Sequence, residues 1–298
     1  MTKWTSKYSV PAPLAGVSVR QLLNAWLIPK RMQHDLRVNH DVVVNGQYQP
    51  YSMSVHTGDQ VSLTVRAENL GTPVQRYLPD DHVYLPILYE NNDVLVINKP
   101  SGIKSHPNRP DESGTVMNFL TAQLANVNQT PAMVHRLDMA TSGAMIIAKT
   151  PLVVPILDRL IADKRISRTY QAWVAGHFEQ SAGQFNDPIG RDLNDRRKRR
   201  VNGDHAQTAQ TSYQVLKTTT SASLVRLTLG TGRTHQLRVH LAAHGHAILG
   251  DPLYASPKAL LAAPRLMLHA YQLHLLLPLD ETDMMITAPL PKDFSLLV

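Results

Sequence analysis

The sequence predicts an α+β fold with a central mixed, mainly antiparallel sheet, preceded by a smaller α+β unit. Three observations carry this expectation. Short β-branched and apolar runs recur along most of the chain, and helical periods are fewer. The helices that can be read fall among the strands without steady strand–helix–strand alternation. A proline-rich stretch without period at 67–86, AENLGTPVQRYLPDDHVYLP, reads as a linker. The expected organisation is therefore an N-terminal extension (1–15), a small domain (16–66), the linker (67–86) and a large domain (87–298).

In the small domain, Ser18 stands where it can cap a helix, with Gln21 three residues on as its capping-box partner. Val19, Leu22, Leu23, Trp26 and Leu27 would form the apolar face, and Pro29 would end or bend the helix. A basic stretch with Lys30, Arg31, His34 and Arg37 follows. The run VVVNG ends in an Asn-Gly turn signal, and Gly58-Asp59 marks a second turn before the strand QVSLTV.

In the large domain, Ile87–Leu88 and Val94–Ile97 read as strands about a turn at Glu90–Asp93, and Gly143–Lys149 as a short apolar strand. Thr150 and Pro151 suggest a helix start, with Leu152, Ile156, Leu157, Leu160 and Ile161 on one face. Pro155 argues that the regular helix begins only there. Strands are expected at Thr169–Ala175, Ser212–Lys217, Leu224–Leu229 and Leu266–Leu277, and a helix over Arg233–Ala243 closed by His244-Gly245.

Composition bounds the function. A chain of 298 residues with 43% hydrophobic and 18% charged residues folds, and its length favours two domains. The absence of cysteine excludes disulfides, thiolate metal sites and a cysteine nucleophile. No apolar run reaches the roughly 20 residues of a membrane span, and the N-terminus lacks an apolar signal segment, so a cytoplasmic location is expected. A net charge of +7 suits a polyanionic partner, and nucleic acid is the commonest.

Three segments place ionisable groups beside glycines and apolar strands. In HRLDMATSG, Asp138 follows a basic pair and enters a strand through a hydroxyl-rich turn. Asp138 could serve as nucleophile, general base or metal ligand, or simply close a turn. In LGTGRTHQLRVH, a Gly-x-Gly turn leads into a helix beginning at Arg233, a place suited to anions. His235, His240, His244 and His246 do not have the spacing of a zinc helix, and no metal is expected. In RTYQA, Tyr170 shares a strand face with Ala172 and Val174. A further basic run, RDLNDRRKRR, holds Arg191 and Arg196, Arg197, Lys198, Arg199 and Arg200; it reads as a loop that could meet phosphates.

Together these segments resemble the RluA family of RNA pseudouridine synthases. The likeness covers about 85–298 and runs in order through VLVINKPSGIKSHPN, GTVMNFL, HRLDMATSG, the RTY segment, LGTGRTHQLRVHLAAHGHAILGDPLY and RLMLHAYQLHLLLP. The small domain is similar to the RNA-binding domain first seen in ribosomal protein S-four. The resemblance implies a pseudouridine synthase catalytic domain, an isomerase acting on uridines in RNA without cofactor. It implies Asp138 as the catalytic aspartate, Arg233 as its basic partner and Tyr170 as the aromatic packed on the uracil. It further implies Leu268 lining the uracil pocket, and His135, Arg136, Thr141 and Ser142 in the shell and RNA-contact part of the loop. Arg168 departs from the lysine usual before Thr-Tyr, and no catalytic role is assigned to it. Arg196–Arg200, Lys30 and Arg31 are the expected RNA contacts. Ribosomal RNA is the expected substrate in preference to tRNA, and the chain is expected to act as a monomer. The contrasting reading is a ribosome-assembly factor that binds RNA on this fold without catalysis.

Overall fold

The structure, a computed structural model, describes residues 2–70, 75–125, 129–279 and 282–295. Residues 71–74 of the expected linker lie outside the described residues.

The small domain contains β1 (Lys3–Ser9), α1 (Val19–Ala25), α2 (Lys30–Val38), β2 (Val42–Val44), β3 (Gln47–Tyr48) and β4 (Gln60–Arg66), with sheet order β1-β4-β2-β3. Ser18 caps α1 in a full capping box with Gln21; α1 ends at Ala25 before a left-handed Leu27 (φ 58°), not at the proline, and Pro29 occupies the N-cap position of α2. Asn45 and Gly46 take the positive φ values of 51° and 85° that a two-residue hairpin between β2 and β3 requires. One boundary needs correction. Lys3–Ser9 is no extension but an edge strand, paired antiparallel with β4 from Lys3↔Arg66 to Ser9↔Gln60. Its side chains alternate half-buried and exposed, so it carries too little apolar signal to read as a strand alone.

The large domain opens with β5 (Ile87–Glu90), β6 (Val94–Lys99), α3 (Val116–Gln123), β7 (Ala132–Met133), β8 (Ser142–Ala148), α4 (Val154–Ala162) and β9 (Ser167–Ala175). Then come β10 (Ala182–Phe185), β11 (Ile189–Arg191), β12 (Arg199–Val201), β13 (Asp204–Gln207), β14 (Thr211–Thr218), β15 (Ala222–Leu229) and α5 (Gln236–Ala243). It closes with α6 (Pro257–Leu261), β16 (Leu268–Leu276) and β17 (Asp283–Thr287). Helix α4 does start at Val154-Pro155, where the missing proline N–H is harmless. Helix α5 starts at Gln236, three residues after Arg233, because His235 takes a left-handed φ of 58°. The basic run is only partly a loop: Arg199–Val201 pairs with β11 in a separate three-stranded sheet, β12-β11-β13.

The large sheet has ten strands in the order β10-β14-β15-β9-β16-β8-β6-β5, with β17 on β16 and β7 on β8. Every pair is antiparallel except β16 with β8. Its two faces build two cores. Val94, Val96, Ala144, Ile146 and Ala148 face α4 and join the apolar cluster of the small domain. Leu95, Ile97, Met145 and Ile147 face the other way, towards α3 and α5. This period of two is what a strand buried on both faces shows. Tyr8 on β1 donates to Asp93 Oδ1 at 2.8 Å, and Trp4 Nε1 to Thr130 Oγ1 at 3.3 Å, tying the domains together.

The parallel pair sets His269 opposite Ser142 and Ala270 opposite Gly143. Gly143 has φ 113°, and a Cβ there would lie 2.3 Å from Ala270 O. Both the conformation and the close approach demand glycine. Gly143→Ala should therefore destabilise the protein by about 4 kcal/mol or more, among the largest single-residue effects, as measured by urea denaturation.

Candidate active site

Asp138 sits in the loop between β7 and β8, and buried polar groups from 99–105 fix that loop. Lys99 is fully buried, and its ammonium donates to Pro100 O at 2.9 Å, Met139 O at 3.1 Å and Thr141 O at 2.8 Å. Burial pulls Lys99 down to about 7, while the Asp138 carboxylate favours its charged form. Ser101 Oγ donates to Ala140 O at 2.6 Å, and Ser105 Oγ to Leu137 O at 2.7 Å. Gly102 N–H reaches Met139 O at 2.8 Å. The loop has little regular structure of its own, and these bonds make it rigid. Lysine and serine read as surface residues, so nothing in their pattern marked these three as supports.

The carboxylate of Asp138 meets α5. Arg238 Nη1 donates to Asp138 Oδ2 at 3.1 Å, and His235 Nε2 lies 3.8 Å from the same oxygen. Among the described residues, Asp138 Oδ1 has no hydrogen-bond partner. The Arg238 fork is also bidentate to Asp251, Nε to Oδ2 at 2.8 Å and Nη2 to Oδ1 at 2.7 Å. Asp251 is fully buried and accepts the Leu253 and Tyr254 N–H groups as well. The Arg238 guanidinium stands 5.1 Å from the Tyr254 ring centre. One arginine thus bridges two carboxylates, one buried and structural, one open to the cleft.

The expected pairing of Arg233 with Asp138 is therefore corrected. Arg233 is exposed at the cleft mouth, and its Nε donates to Thr208 O at 3.0 Å. Arg238, five positions later and inside α5, is the partner. The segment LGTGRTHQLRVH contains both arginines, and spacing alone does not say which one the helix turns inward.

The cleft, about 110 Å³, is lined by Asp138, Thr141, Tyr170, Leu268, Arg136 and Arg168, together with the 229–238 segment. Strand order brings these together. β16 lies between β9 and β8, which sets Ala270 beside Tyr170 and Leu268 beside Ala172. Tyr170 is buried, and burial raises its hydroxyl pKa, keeping it neutral. Two other expected residues do not line this cleft. Ser142 is buried against His269 Nδ1 at 2.9 Å, and His135 Nε2 accepts the Ile146 N–H at 2.9 Å. Both brace the loop from behind.

Of the expected RNA contacts, Arg196 and Arg200 are exposed, Arg197 is held by Asp195 at 2.8 Å, and Lys198 and Arg199 are half-buried. Lys30 and Arg31 are exposed on α2 of the small domain. The histidines about α5 do not converge on a common point: His240, His244 and His246 bond Asp187 O, Asp187 Oδ2 and Ala175 O, and His235 bonds the Tyr254 hydroxyl. Among the described residues, only Asp80, Asp81 and His82 bring three ligand-type atoms together, with Asp81 and His82 exposed.

Two consequences can be measured. Asp251→Asn leaves Arg238 short of a buried counter-charge and should cost about 3–5 kcal/mol in urea denaturation; Arg233→Gln should leave the denaturation midpoint unchanged. Burial lowers His135 to about 3 and His269 to about 4, from 6.5. Below 6.5 the unfolded chain binds protons that the folded one refuses, so stability is lost as pH falls towards 4. The denaturation midpoint should fall over that window, and less steeply in His135→Gln.

The sequence matches the model of the RNA pseudouridylate synthase family over 93–243, and that of the RluD ribosomal pseudouridine synthase N-terminal domain over 7–61. The chain is 38% identical over 269 residues to the uncharacterized RNA pseudouridine synthase YhcT of Bacillus subtilis, covering 89% of this chain and 84% of that protein. It is 32% identical over 307 residues to ribosomal large subunit pseudouridine synthase D of Nitrosomonas europaea, covering 99% of this chain and 87% of the relative. The solved human RNA pseudouridylate synthase domain containing 1 superposes with a TM-score of 0.60 at 29% identity, covering 72% of this chain and 86% of that one. With a family match over half its length and relatives aligned almost end to end, the chain belongs to the RNA pseudouridine synthases, which are isomerases.

Proposed function

We propose that this enzyme isomerises uridines of large-subunit ribosomal RNA, with Asp138 as the catalytic carboxylate. The observation that carries the reading is the asymmetry of that carboxylate. Oδ2 is held by Arg238, while Oδ1 is left for a substrate in a cleft beside Tyr170 and Leu268. The reaction breaks the N1–C1′ bond of a uridine and forms a C5–C1′ bond. A proton leaves C5 and one is gained at N1, so no co-reactant is consumed.

Each residue then has a task. Arg238 holds Oδ2 of the carboxylate through a charge-assisted hydrogen bond. Tyr170 offers a ring on which a flipped uracil stacks, recovering about 1–3 kcal/mol of the cost of leaving the RNA stack. Leu268 and Thr141 shape the pocket, and Arg136 and Arg233 at its mouth meet the RNA backbone. The N-terminal domain supports a ribosomal substrate, because it matches that of RluD and because the relative from Nitrosomonas europaea is named for the large subunit. Lys30, Arg31 and the basic run at Arg196–Arg200 extend the RNA-binding face. The enzyme acts as a monomer in the cytoplasm.

Tritium release from RNA labelled at uracil C5 tests this. The native protein should release tritium from ribosomal RNA and not from tRNA. Asp138→Asn should abolish release while RNA affinity stays within about threefold; turnover by that variant would remove Asp138 from the chemistry. Neutralising Arg196, Lys198 and Arg200 should weaken binding and reduce the salt slope by about one for each phosphate no longer neutralised.

A further inference from the structure

His235 occupies a position that the proposed mechanism does not use. It precedes α5 with a left-handed φ of 58°, which favours glycine. That conformation puts its ring between Tyr254 and Asp138. Nδ1 lies 2.9 Å from the Tyr254 hydroxyl, and Nε2 lies 3.8 Å from Asp138 Oδ2. The rings of His235 and Tyr254 meet edge to face at 5.7 Å and 84°.

The hydrogen-bond inventory assigns the tautomer. The Tyr254 oxygen already accepts the Arg199 main-chain N–H at 2.8 Å. The phenol has one proton, and among the described residues its remaining partner is His235 Nδ1. Tyr254 therefore donates to Nδ1, and the ring carries its own proton on Nε2. Charge agrees independently: a bare Nε2 lone pair would face a carboxylate, whereas an N–H faces it favourably. Burial lowers the pKa of His235, against the pull of Asp138 and with the push of Arg238, so the ring is neutral.

We infer that His235 is a positioning residue for the reaction, its tautomer fixed by Tyr254 so that a neutral Nε2–H steers Asp138 Oδ2 and leaves Oδ1 for the uridine. The 3.8 Å gap closes to a hydrogen bond when RNA fills the cleft, as such gaps tighten on substrate binding. A neutral donor suits this task. Arg238 already supplies a full positive charge, and a second would hold the carboxylate back from reaction. The inference rests on Asp138 being the catalytic carboxylate.

The test combines turnover on total RNA tritiated at uracil C5 with ¹⁵N spectra of ring-labelled histidine. His235→Ala should lower kcat by about 10–100-fold, with KM for RNA within about threefold. His235→Gln, which returns an N–H at similar reach, should recover about tenfold of that loss. Tyr254→Phe should lower kcat in the same direction, and the double variant His235→Ala/Tyr254→Phe should be no slower than the slower single variant, because the two act as a unit. The native spectrum should show His235 protonated at Nε2 alone, and Tyr254→Phe should show mixed tautomers. Native kcat in His235→Ala, no recovery in His235→Gln, or a proton on Nδ1 in the native spectrum would overturn the inference. Turnover by Asp138→Asn would instead overturn the reading of Asp138, and the spectrum reads the tautomer independently of turnover.

Discussion

A single guanidinium shared by two carboxylates organises this molecule. Arg238 grips Asp251 with two parallel bonds in a fully buried site and extends its third nitrogen to Asp138. Such a triad costs desolvation, and replacing it with apolar side chains could leave the fold as stable. What the charges provide is direction. Asp251 fixes the fork, the fork fixes one oxygen of Asp138, and the main-chain N–H groups of Leu253 and Tyr254 fix Asp251 in turn. The loop that carries Asp138 is thereby registered against α5, although Asp138 and Arg238 are a hundred residues apart in the chain.

The loop is held from its other side by Lys99. A buried ammonium with three carbonyl acceptors does in this protein what a secondary-structure ladder does elsewhere: it satisfies main-chain groups of an irregular segment away from water. Basic side chains thus stand on both flanks of the Asp138 loop: Lys99 is committed to main-chain oxygens and Arg238 to carboxylates.

Much of this was legible in the residues, and the failures have physical causes. The α1 cap, the Asn45-Gly46 hairpin and the start of α4 at Val154-Pro155 follow from local chemistry, which needs no tertiary partner. β1 was not legible, since KWTSKYS becomes a strand only because β4 offers it an edge. Arg233 and Arg238 lie in one segment with equal chemical claims, and only the left-handed turn at His235 decides which faces Asp138. Ser142 and His135 sit behind the loop because their side chains bond His269 Nδ1 and the Ile146 N–H, tertiary partners that no local pattern announces. Tyr170 and Leu268 are neighbours through a strand order that sequence adjacency does not encode.

That strand order also governs how the enzyme is made. β16 fills the middle of the large sheet between β9 and β8, yet it is the second-last strand of the chain. Until it emerges from the ribosome, the nascent sheet is two separate pieces, each with an open, apolar edge of the kind that captures other chains. Leu268 and the seat of Gly143 arrive with it, so the pocket does not exist in partial form. Synthesis passes from two sticky half-sheets to a closed catalyst in one late insertion, and that interval is when the chain most needs protection from its neighbours.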